Sequence, residues 1–166
     1  LMDVYKINEA RDTRNEVPFQ LGNLLRNISE EYARKACDKA LLFEQGHEVT
    51  DVMVKGDADK LEQVLDNLLT NAIKFTPAGT VRFHTRYAGG KLHVEIGDTG
   101  IGMDKETLKR VFRPFERAAQ EVNSEGFGLG LFITKGLVKV LDGTLDVESR
   151  PGKGSTFRLV FPLPET

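Results

Sequence analysis

The stretch Gly126-Phe127-Gly128-Leu129-Gly130-Leu131 joins a polar loop to an apolar, helix-like segment. Three glycines at alternate positions allow backbone conformations closed to other residues and let the chain approach a ligand closely. The helix that follows begins with free N–H groups and a partial positive charge, which suit a phosphate. Taken alone, the stretch fits a phosphate-binding segment and a flexible hinge equally well.

Two other segments favour a nucleotide site. A second glycine motif, running from Asp98 to Gly102, directly follows the strand-like run 92–97. Asn67, Asn71 and Lys74 fall at i, i+4 and i+7 of a predicted helix, so they share one face within about 60° at 3.6 residues per turn. The three segments together predict nucleotide binding, which no one of them does alone.

The better-known glycine-rich motifs are absent. A phosphate-binding loop of the Walker type needs Gly-x-x-x-x-Gly-Lys-Ser/Thr, and the sequence has no such run. A dinucleotide fingerprint needs Gly-x-Gly-x-x-Gly after a strand, whereas residues 118–125 are polar loop. The Val-Ala-Ile-Lys and His-Arg-Asp motifs of protein kinases are also missing.

Size and composition indicate an ordinary globular domain. The 166 residues suffice for one domain with a core and a short appendage, and 40% hydrophobic with 29% charged residues is typical of such chains. A net charge of −2 gives no basic surface, so no nucleic acid partner is expected. Cys37 is the single cysteine, which excludes an internal disulfide and fits a reducing, cytoplasmic compartment.

Membrane contact is not expected of this fragment. No apolar run approaches the roughly 20 residues of a membrane span, and no signal peptide is visible. The sequence opens within a helical pattern, so we expect it to be part of a longer protein, whose own membrane attachment stays open.

Hydrophobic periodicity predicts alternating helices and strands. The predicted helices are the end of one at 1–14, then 19–35, 58–75, 104–111 and 128–141. The predicted strands are 40–44 and 49–55 around a turn at Gln45-Gly46-His47, 81–87 and 92–97 as a hairpin, and 143–149 and 156–163 as a second hairpin. Residues 112–127 show no periodicity. The sum predicts an α/β (α+β) sandwich, a mixed sheet with helices packed on one face.

The polar residues on the 58–75 helix have two explanations. Asparagine is a mediocre helix former, so two on one face call for a reason. An amide oxygen can ligate Mg²⁺ while an ammonium faces phosphate, but a solvated polar flank would look the same. Asp98 can likewise accept a hydrogen bond from an adenine amino group or simply initiate a turn before Gly100.

Four motifs together resemble a known family. They are Asn67 to Thr76, Asp98 to Met103, Val111 to Phe115 and Gly126 to Leu131. Their order and spacing are similar to the N, G1, F and G2 boxes of the catalytic ATP-binding domain of two-component sensor histidine kinases, over about 19–164. The resemblance implies a Bergerat-type ATP-binding fold for residues 15–166. It also implies that residues 1–14 are the C-terminal end of a dimerisation and phosphoacceptor helix.

The resemblance also implies roles for individual residues. Asn71 would ligate Mg²⁺, with Asn67, Lys74 and Arg117 near the phosphates of ATP. Phe75 would lie against adenine, Asp98 would bind its amino group, and Thr156 would touch it through water. The remaining nucleotide contacts would come from the glycine motifs: Gly100, Gly102, Gly126, Gly128, Leu129, Gly130 and Leu131. Phe127 departs from the family, which commonly has a small or hydroxylated residue there.

The phosphoacceptor motif of the family, a histidine followed by an acidic residue and a nearby proline, is not found in this chain. His47, His84 and His93 all fall in or beside strand-like segments. The resemblance therefore implies a catalytic domain that phosphorylates a histidine on a separate helical domain of the same protein. A receiver domain of a response regulator would then take the phosphoryl group.

Two alternatives follow from the same resemblance. ATP hydrolases of this fold carry a glutamate one turn before the magnesium asparagine, and Asn67 at that position cannot act as a base, so hydrolysis is not expected as the purpose. A non-catalytic module used for nucleotide sensing or docking would be suggested by loss of Asn71, Lys74 or the glycines, all of which are intact.

Overall fold

The computed structural model describes residues 14–112 and 128–166. Four helices and seven strands lie in these ranges, and the predicted helix end at 1–14 falls outside them except for Arg14. In chain order the elements are β1 (Val17–Gln20), α1 (Leu21–Asp38), β2 (Leu42–Glu48), β3 (Met53–Gly56), α2 (Ala58–Lys74), β4 (Thr80–Ala88), β5 (Lys91–Asp98), α3 (Lys105–Val111), α4 (Gly128–Val140), β6 (Thr144–Arg150) and β7 (Gly154–Pro162).

Five strands form a mixed sheet in the order β2-β4-β5-β7-β6. β2 runs parallel to β4, and all other neighbours in this sheet are antiparallel. A tight turn cannot join parallel strands, so the chain between β2 and β4 crosses over through β3 and α2. β1 and β3 pair antiparallel in a separate two-stranded sheet. The crossover places the helix that carries Asn67, Asn71 and Lys74 directly on the sheet.

The helices cover one face of the five-stranded sheet, and the core lies between the two layers. Its largest fully buried side chains include Leu25 of α1, Leu65 of α2, Phe83 of β4, Ile96 of β5 and Phe161 of β7. Charged side chains alternate with them along the strands and form the open face. The predicted fold class is therefore confirmed.

Most predicted elements occur where the periodicity placed them. The helices predicted over 19–35, 58–75, 104–111 and 128–141 correspond to α1, α2, α3 and α4, and both predicted hairpins form. The side chain of Asp104 accepts the N–H of Thr107 at 2.7 Å, so an acidic cap opens α3 as expected. None of the helices in residues 14–112 and 128–166 combines the length and the apolar content that a bilayer crossing requires.

One prediction is wrong. Gln45-Gly46-His47 is not a turn, because β2 continues through it to Glu48 and the following strand, β3, belongs to the other sheet. Gly46 is paired with His84 of β4 in parallel register. Long-range pairing of this kind outweighs the local preference of glycine for a turn.

The segment that leads into β1 is fixed at two points. The guanidinium of Arg14 donates to the carbonyl oxygen of Val140 at 2.8 Å and to the carboxylate of Asp142 at 3.0 Å, at the C-terminal end of α4. The backbone N–H of Asn15 donates to Asp57 at 2.9 Å, at the start of α2. Residues 14 and 15 therefore connect the ends of the two helices that border the predicted nucleotide site.

Side chains form hydrogen bonds with the backbone groups at both ends of α2 that have no partner within the helix. Asp57 is buried and accepts the backbone N–H of Lys60 at 3.1 Å and its ammonium at 2.8 Å. At the other end, the ammonium of Lys39 donates to the carbonyl oxygens of Ile73 at 2.7 Å and Lys74 at 3.1 Å. A cation at the C-terminus and a carboxylate at the N-terminus both complement the helix dipole, so α2 is held firmly where it presents its polar residues.

We predict that Asp57→Ala lowers the free energy of unfolding by about 0.5–2 kcal/mol, the usual cost of losing an N-cap. Burial would raise the pKa of Asp57, but the hydrogen bonds from Lys60 and Asn15 outweigh it and hold this pKa below its usual range. The ionised cap therefore contributes its stability above the unfolded-state pKa of about 3.9, and this contribution is lost as the pH falls through the lower folded-state value.

Urea denaturation of the parent and the variant between neutral and acidic pH measures this difference. Asp59→Ala, in the exposed first turn of the same helix, is the matched control and should stay within about 0.5 kcal/mol of the parent. A difference for Asp57→Ala that is absent at neutral pH, or that grows in acid, would contradict the assignment.

Candidate nucleotide-binding site

A small cavity lies between the C-terminal turns of α2, the loop after β5, α4 and the start of β7. Its empty space, including the part that is open to solvent, is about 280 Å³. Its lining consists of Asn71, Ala72, Phe75, Asp98, Gly102, Leu131, Ser155 and Phe157. The space is narrow, so the chemistry of its lining, rather than its volume, indicates what it binds.

The walls of the cavity are mostly apolar, with polar groups at two places. Phe75, Leu131 and Phe157 provide the apolar surface, and the side chains of Asn71 and Asp98 provide polar groups. A mainly apolar cleft with a few fixed polar groups is the usual form of a site that binds a planar aromatic ligand. Four separated parts of the sequence thus meet at one place.

The carboxylate of Asp98 is partly committed to the protein. One oxygen, Oδ1, accepts the backbone N–H of Gly100 at 2.8 Å and that of Ser155 at 3.3 Å. Within residues 14–112 and 128–166 the other oxygen accepts no hydrogen bond, so it is available to a ligand. Burial raises the pKa of Asp98 above its usual value, against the lowering effects of these two hydrogen bonds and of the positive charge of Arg82.

Glycine is required beside Asp98 because three backbone segments touch there. A Cβ on Gly100 would overlap the carbonyl oxygen of Phe75, and one on Gly102 would overlap that of Arg150. Gly102 also has a φ of +67°, which side chains rarely adopt. Hydrogen bonds hold the same contact: the N–H of Ile101 donates to Phe75 at 3.0 Å. The glycines of the motif therefore shape the cavity rather than give it flexibility.

The polar residues on one face of α2 lie in different surroundings, and one of them lines the cavity. Asn71 is half-buried and lines the cavity, as the helical spacing suggests. One turn earlier, the amide of Asn67 donates to the hydroxyl of Thr134 on α4 at 3.3 Å, and Thr134 in turn donates to the carbonyl oxygen of Gly130 at 2.7 Å. Lys74 is exposed, with its ammonium 5.9 Å from the centre of the Phe75 ring.

α4 brings part of the alternating glycine motif to the site. Gly128 is its first residue, Leu129 follows, and Gly130 is half-buried with open space around it. Leu131 is fully buried and lines the cavity. Gly126 and Arg117 lie outside the described residues, so their roles stay predictions.

Thr156 does not line this cavity. β7 alternates so that Ser155 and Phe157 face the helices, whereas the hydroxyl of Thr156 accepts the guanidinium of Arg82 at 3.4 Å on the open face. Ser155 lies beside Asp98 at the cavity, and its backbone N–H donates to the Asp98 carboxylate. The water-mediated contact of Thr156 with adenine stays a prediction.

Ser155 is the polar residue that sequence reasoning missed. Its hydroxyl lies 2.7 Å from that of Ser149, which accepts the N–H of Met103 at 2.8 Å and so fixes the end of the Asp98–Met103 loop. The period-two pattern of Phe157, Leu159 and Phe161, extended backwards, would have placed Ser155 on the buried face.

No histidine lines the cavity. His84 and His93 lie on β4 and β5 within the sheet, and His84 is 3.9 Å from Glu44. His47 lies between two hydroxyl groups, with Nε2 2.6 Å from Ser29 and Nδ1 2.7 Å from Thr85, and burial lowers its pKa. All three histidines therefore lie on strands of the sheet, and none lines the candidate site.

Comparison with known families places this architecture in a class. A family model described as "Histidine kinase-, DNA gyrase B-, and HSP90-like ATPase" matches residues 56–165. The match covers all of α2, the cavity and the sheet from β4 to β6 and β7. The chain therefore belongs to the histidine kinase-, DNA gyrase B- and HSP90-like ATPase family.

Its relatives specify the class further. The chain is 36% identical to the autoinducer 2 sensor kinase/phosphatase LuxQ of Vibrio parahaemolyticus over 98% of its length. It is 43% identical to the sensor histidine kinase RcsC of Salmonella typhimurium over 68% of its length. It spans only 20% of that LuxQ and 12% of that RcsC, so it corresponds to one part of a larger protein in each case.

Solved structures of histidine kinases have the same fold as this chain. Full-length ShkA in complex with AMPPNP matches with a TM-score of 0.76 and 28% identity, covering 92% of this chain and 32% of that one. A nucleotide-free catalytic domain of the histidine kinase ThkA matches with a TM-score of 0.73 and 26% identity, covering 89% and 97%. The chain is thus an ATP-binding catalytic domain of the histidine kinase type, and the non-catalytic alternative is not favoured.

The packing of the Asp98–Met103 loop generates a test. Gly100→Ala should lower the free energy of unfolding by about 1–3 kcal/mol, because the new methyl group must displace the end of α2 or the loop. The same displacement should weaken ATP binding. Gly46→Ala is the control, since its Cβ would meet only His84, at 4.0 Å. Thermal denaturation measures the stability of both variants, and calorimetric titration measures their ATP affinity. If Gly100→Ala matches Gly46→Ala in both, the loop can accommodate a methyl group and the packing argument is wrong.

Proposed function

We propose that this domain holds Mg·ATP with the adenine in the cavity beside Asp98 and transfers the γ-phosphoryl group to a histidine of a separate domain. A nitrogen of that histidine would form the new bond to the γ-phosphorus, and the bond between this phosphorus and the bridging oxygen would break, releasing ADP. The observation that carries the proposal is the second oxygen of Asp98, which accepts no hydrogen bond within the described residues and lies at a mainly apolar cavity.

Asp98 is suited to recognise adenine because its oxygen accepts and does not donate when ionised. The amino group of adenine would donate to this oxygen, and Phe75 and Phe157 would contact the faces of the ring. Guanine presents a carbonyl oxygen where adenine has its amino group, so it would leave a buried carboxylate facing another acceptor. An unmatched buried polar group costs about 1–3 kcal/mol, which favours ATP over GTP.

Asn71 is suited to ligate Mg²⁺. Its side chain lines the cavity, and within the described residues no cluster of three or more His, Cys, Asp or Glu side chains could hold a metal by itself. Mg²⁺ typically binds one or two protein oxygens together with phosphate oxygens and water, so a single amide oxygen beside ATP fits this habit. When bound, the metal would neutralise charge on the phosphates.

Asn67, Lys74 and Arg117 would contact the phosphates or the transferred group, and the glycine motif at the start of α4 would close over them. In such a transfer the protein contributes mainly positioning and charge neutralisation. Asn67 donates its amide to Thr134 and offers no base for activating water, which fits phosphoryl transfer better than hydrolysis.

The partners follow from what the site lacks. Since no histidine lies at the cavity, the acceptor would come from another domain, which we propose is the dimerisation and phosphoacceptor helical domain of the same protein. A receiver domain of a response regulator would take the phosphoryl group next. We propose a cytoplasmic location, where ATP is available and Cys37 would stay reduced.

We predict that Asn71→Ala removes most of the gain in ATP affinity that Mg²⁺ provides. The loss should be about tenfold or more, because even outer-shell partners of metal sites typically contribute about 10–100-fold. Calorimetric titration with ATP, in Mg²⁺ and in EDTA, measures the gain. Asn27→Ala on the exposed side of α1 is the control. An unchanged Mg²⁺-dependent gain would remove Asn71 from the metal site.

The transfer itself is tested with γ-³²P-labelled ATP and Mg²⁺. We expect no acid-labile label on the domain alone, and slow labelling of the helical domain of the same protein when it is added as a separate piece, since tethering normally raises the effective concentration. A helical piece without its acceptor histidine is the control. Label on His47, His84 or His93, or no transfer despite measured ATP binding, would contradict the proposal.

A further inference from the structure

The guanidinium of Arg82 lies over the backbone of Gly97, in the space that a side chain there would occupy. The two residues are directly paired between β4 and β5, and both face the open side of the sheet. A Cβ on Gly97 would overlap the guanidinium, so the absence of a side chain is what lets Arg82 lie there. A positive charge therefore rests on the strand one residue before Asp98.

Two neighbours hold Arg82 in this position. Its Nη2 donates to the hydroxyl of Thr156 at 3.4 Å, and its Nε lies 3.9 Å from Glu95. Glu95 is also paired with Arg158, at 3.3 Å, so its negative charge is shared between two arginines. The guanidinium is half-buried, and its charge is less screened than that of a fully exposed side chain.

Asp98 has few other charges around it. Within residues 14–112 and 128–166, the cavity walls bring only uncharged side chains to it: Asn71 and Phe75 from α2, Leu131 from α4, and Ser155 and Phe157 from β7. Gly100 and Gly102 of the loop contribute backbone only. Among the described residues, Arg82 is the charged group that lowers the pKa of Asp98, with a smaller effect than burial or the hydrogen bonds from Gly100 and Ser155, and it lies on the far side of the sheet.

We propose that Arg82 is a positioning residue for nucleotide recognition: its guanidinium, resting on Gly97, stabilises the ionised carboxylate of Asp98 from behind the strand. The inference rests on the proposed role of Asp98 toward adenine. Burial favours the neutral carboxylic acid, which carries a proton and can no longer accept at both oxygens. Arg82 opposes that effect without touching the ligand, so the carboxylate stays an acceptor over a wider range of pH.

The test compares Arg82→Met with Arg82→Lys, which keeps the charge, and Arg82→Gln, which keeps an amide donor for Thr156. Arg158→Met is the matched control, because it removes an arginine paired with the same Glu95 but farther from Gly97. The carboxyl carbon of Asp98 is titrated by ¹³C NMR in each ligand-free protein, a readout that phosphate groups of a nucleotide do not disturb. ATP affinity is then measured across the same pH range.

We expect the Asp98 midpoint to move upward in Arg82→Met and Arg82→Gln, and to return toward the parent value in Arg82→Lys. ATP affinity should fall off at correspondingly higher pH in the first two variants, with Arg158→Met close to the parent. Unchanged midpoints in folded Arg82→Met and Arg82→Gln would overturn the inference. Asp98→Asn separates the two proposals: if it binds ATP as the parent does, the adenine role of Asp98 fails, whatever Arg82 does.

Discussion

Contact between three stretches of backbone at the end of α2 is the constraint on which the site depends. The carbonyl oxygen of Phe75, the loop from Asp98 to Met103 and the turn between β6 and β7 meet with no space for a side chain at Gly100, Gly102 or Gly154. This contact turns the end of α2 toward the end of β5. It thereby brings an amide from one element and a carboxylate from another to the same cavity.

The chemistry of the cavity follows from a balance at Asp98. Desolvation favours the neutral acid, and two backbone N–H groups and a distant guanidinium favour the ion. The hydrogen bond from Gly100 is local to the loop, whereas the one from Ser155 forms only because the loop and β7 are held together. The proposed selectivity for adenine would therefore depend on the backbone around Asp98 as well as on its side chain.

Sequence patterns predicted the parts of the molecule that local physics decides. The apolar stripe of α2 gave its position and the face that carries Asn71, and the alternation in β4 and β5 gave their hairpin. Sequence patterns failed where pairing between strands far apart in the sequence determines the structure. Gly46 favours a turn locally, but its parallel pairing with β4 keeps it in a strand. Thr156 and Ser155 show the same limit, since the resemblance located the segment but only the pleat of β7 determines which side chain faces the cavity.

The parallel pair has a consequence for how the chain folds during synthesis. β2 leaves the ribosome well before β4, its neighbour in the sheet, because β3 and α2 lie between them in the sequence. Paired residues such as Leu42 and Thr80 lie 38 positions apart, so at about 5–20 residues per second β2 has an unpaired edge for about 2–8 s. The apolar stripe of α1 is equally uncovered during that interval. An intermediate with exposed apolar surface is thus built into the topology, and domains of this shape are expected to depend on prompt completion of the crossover.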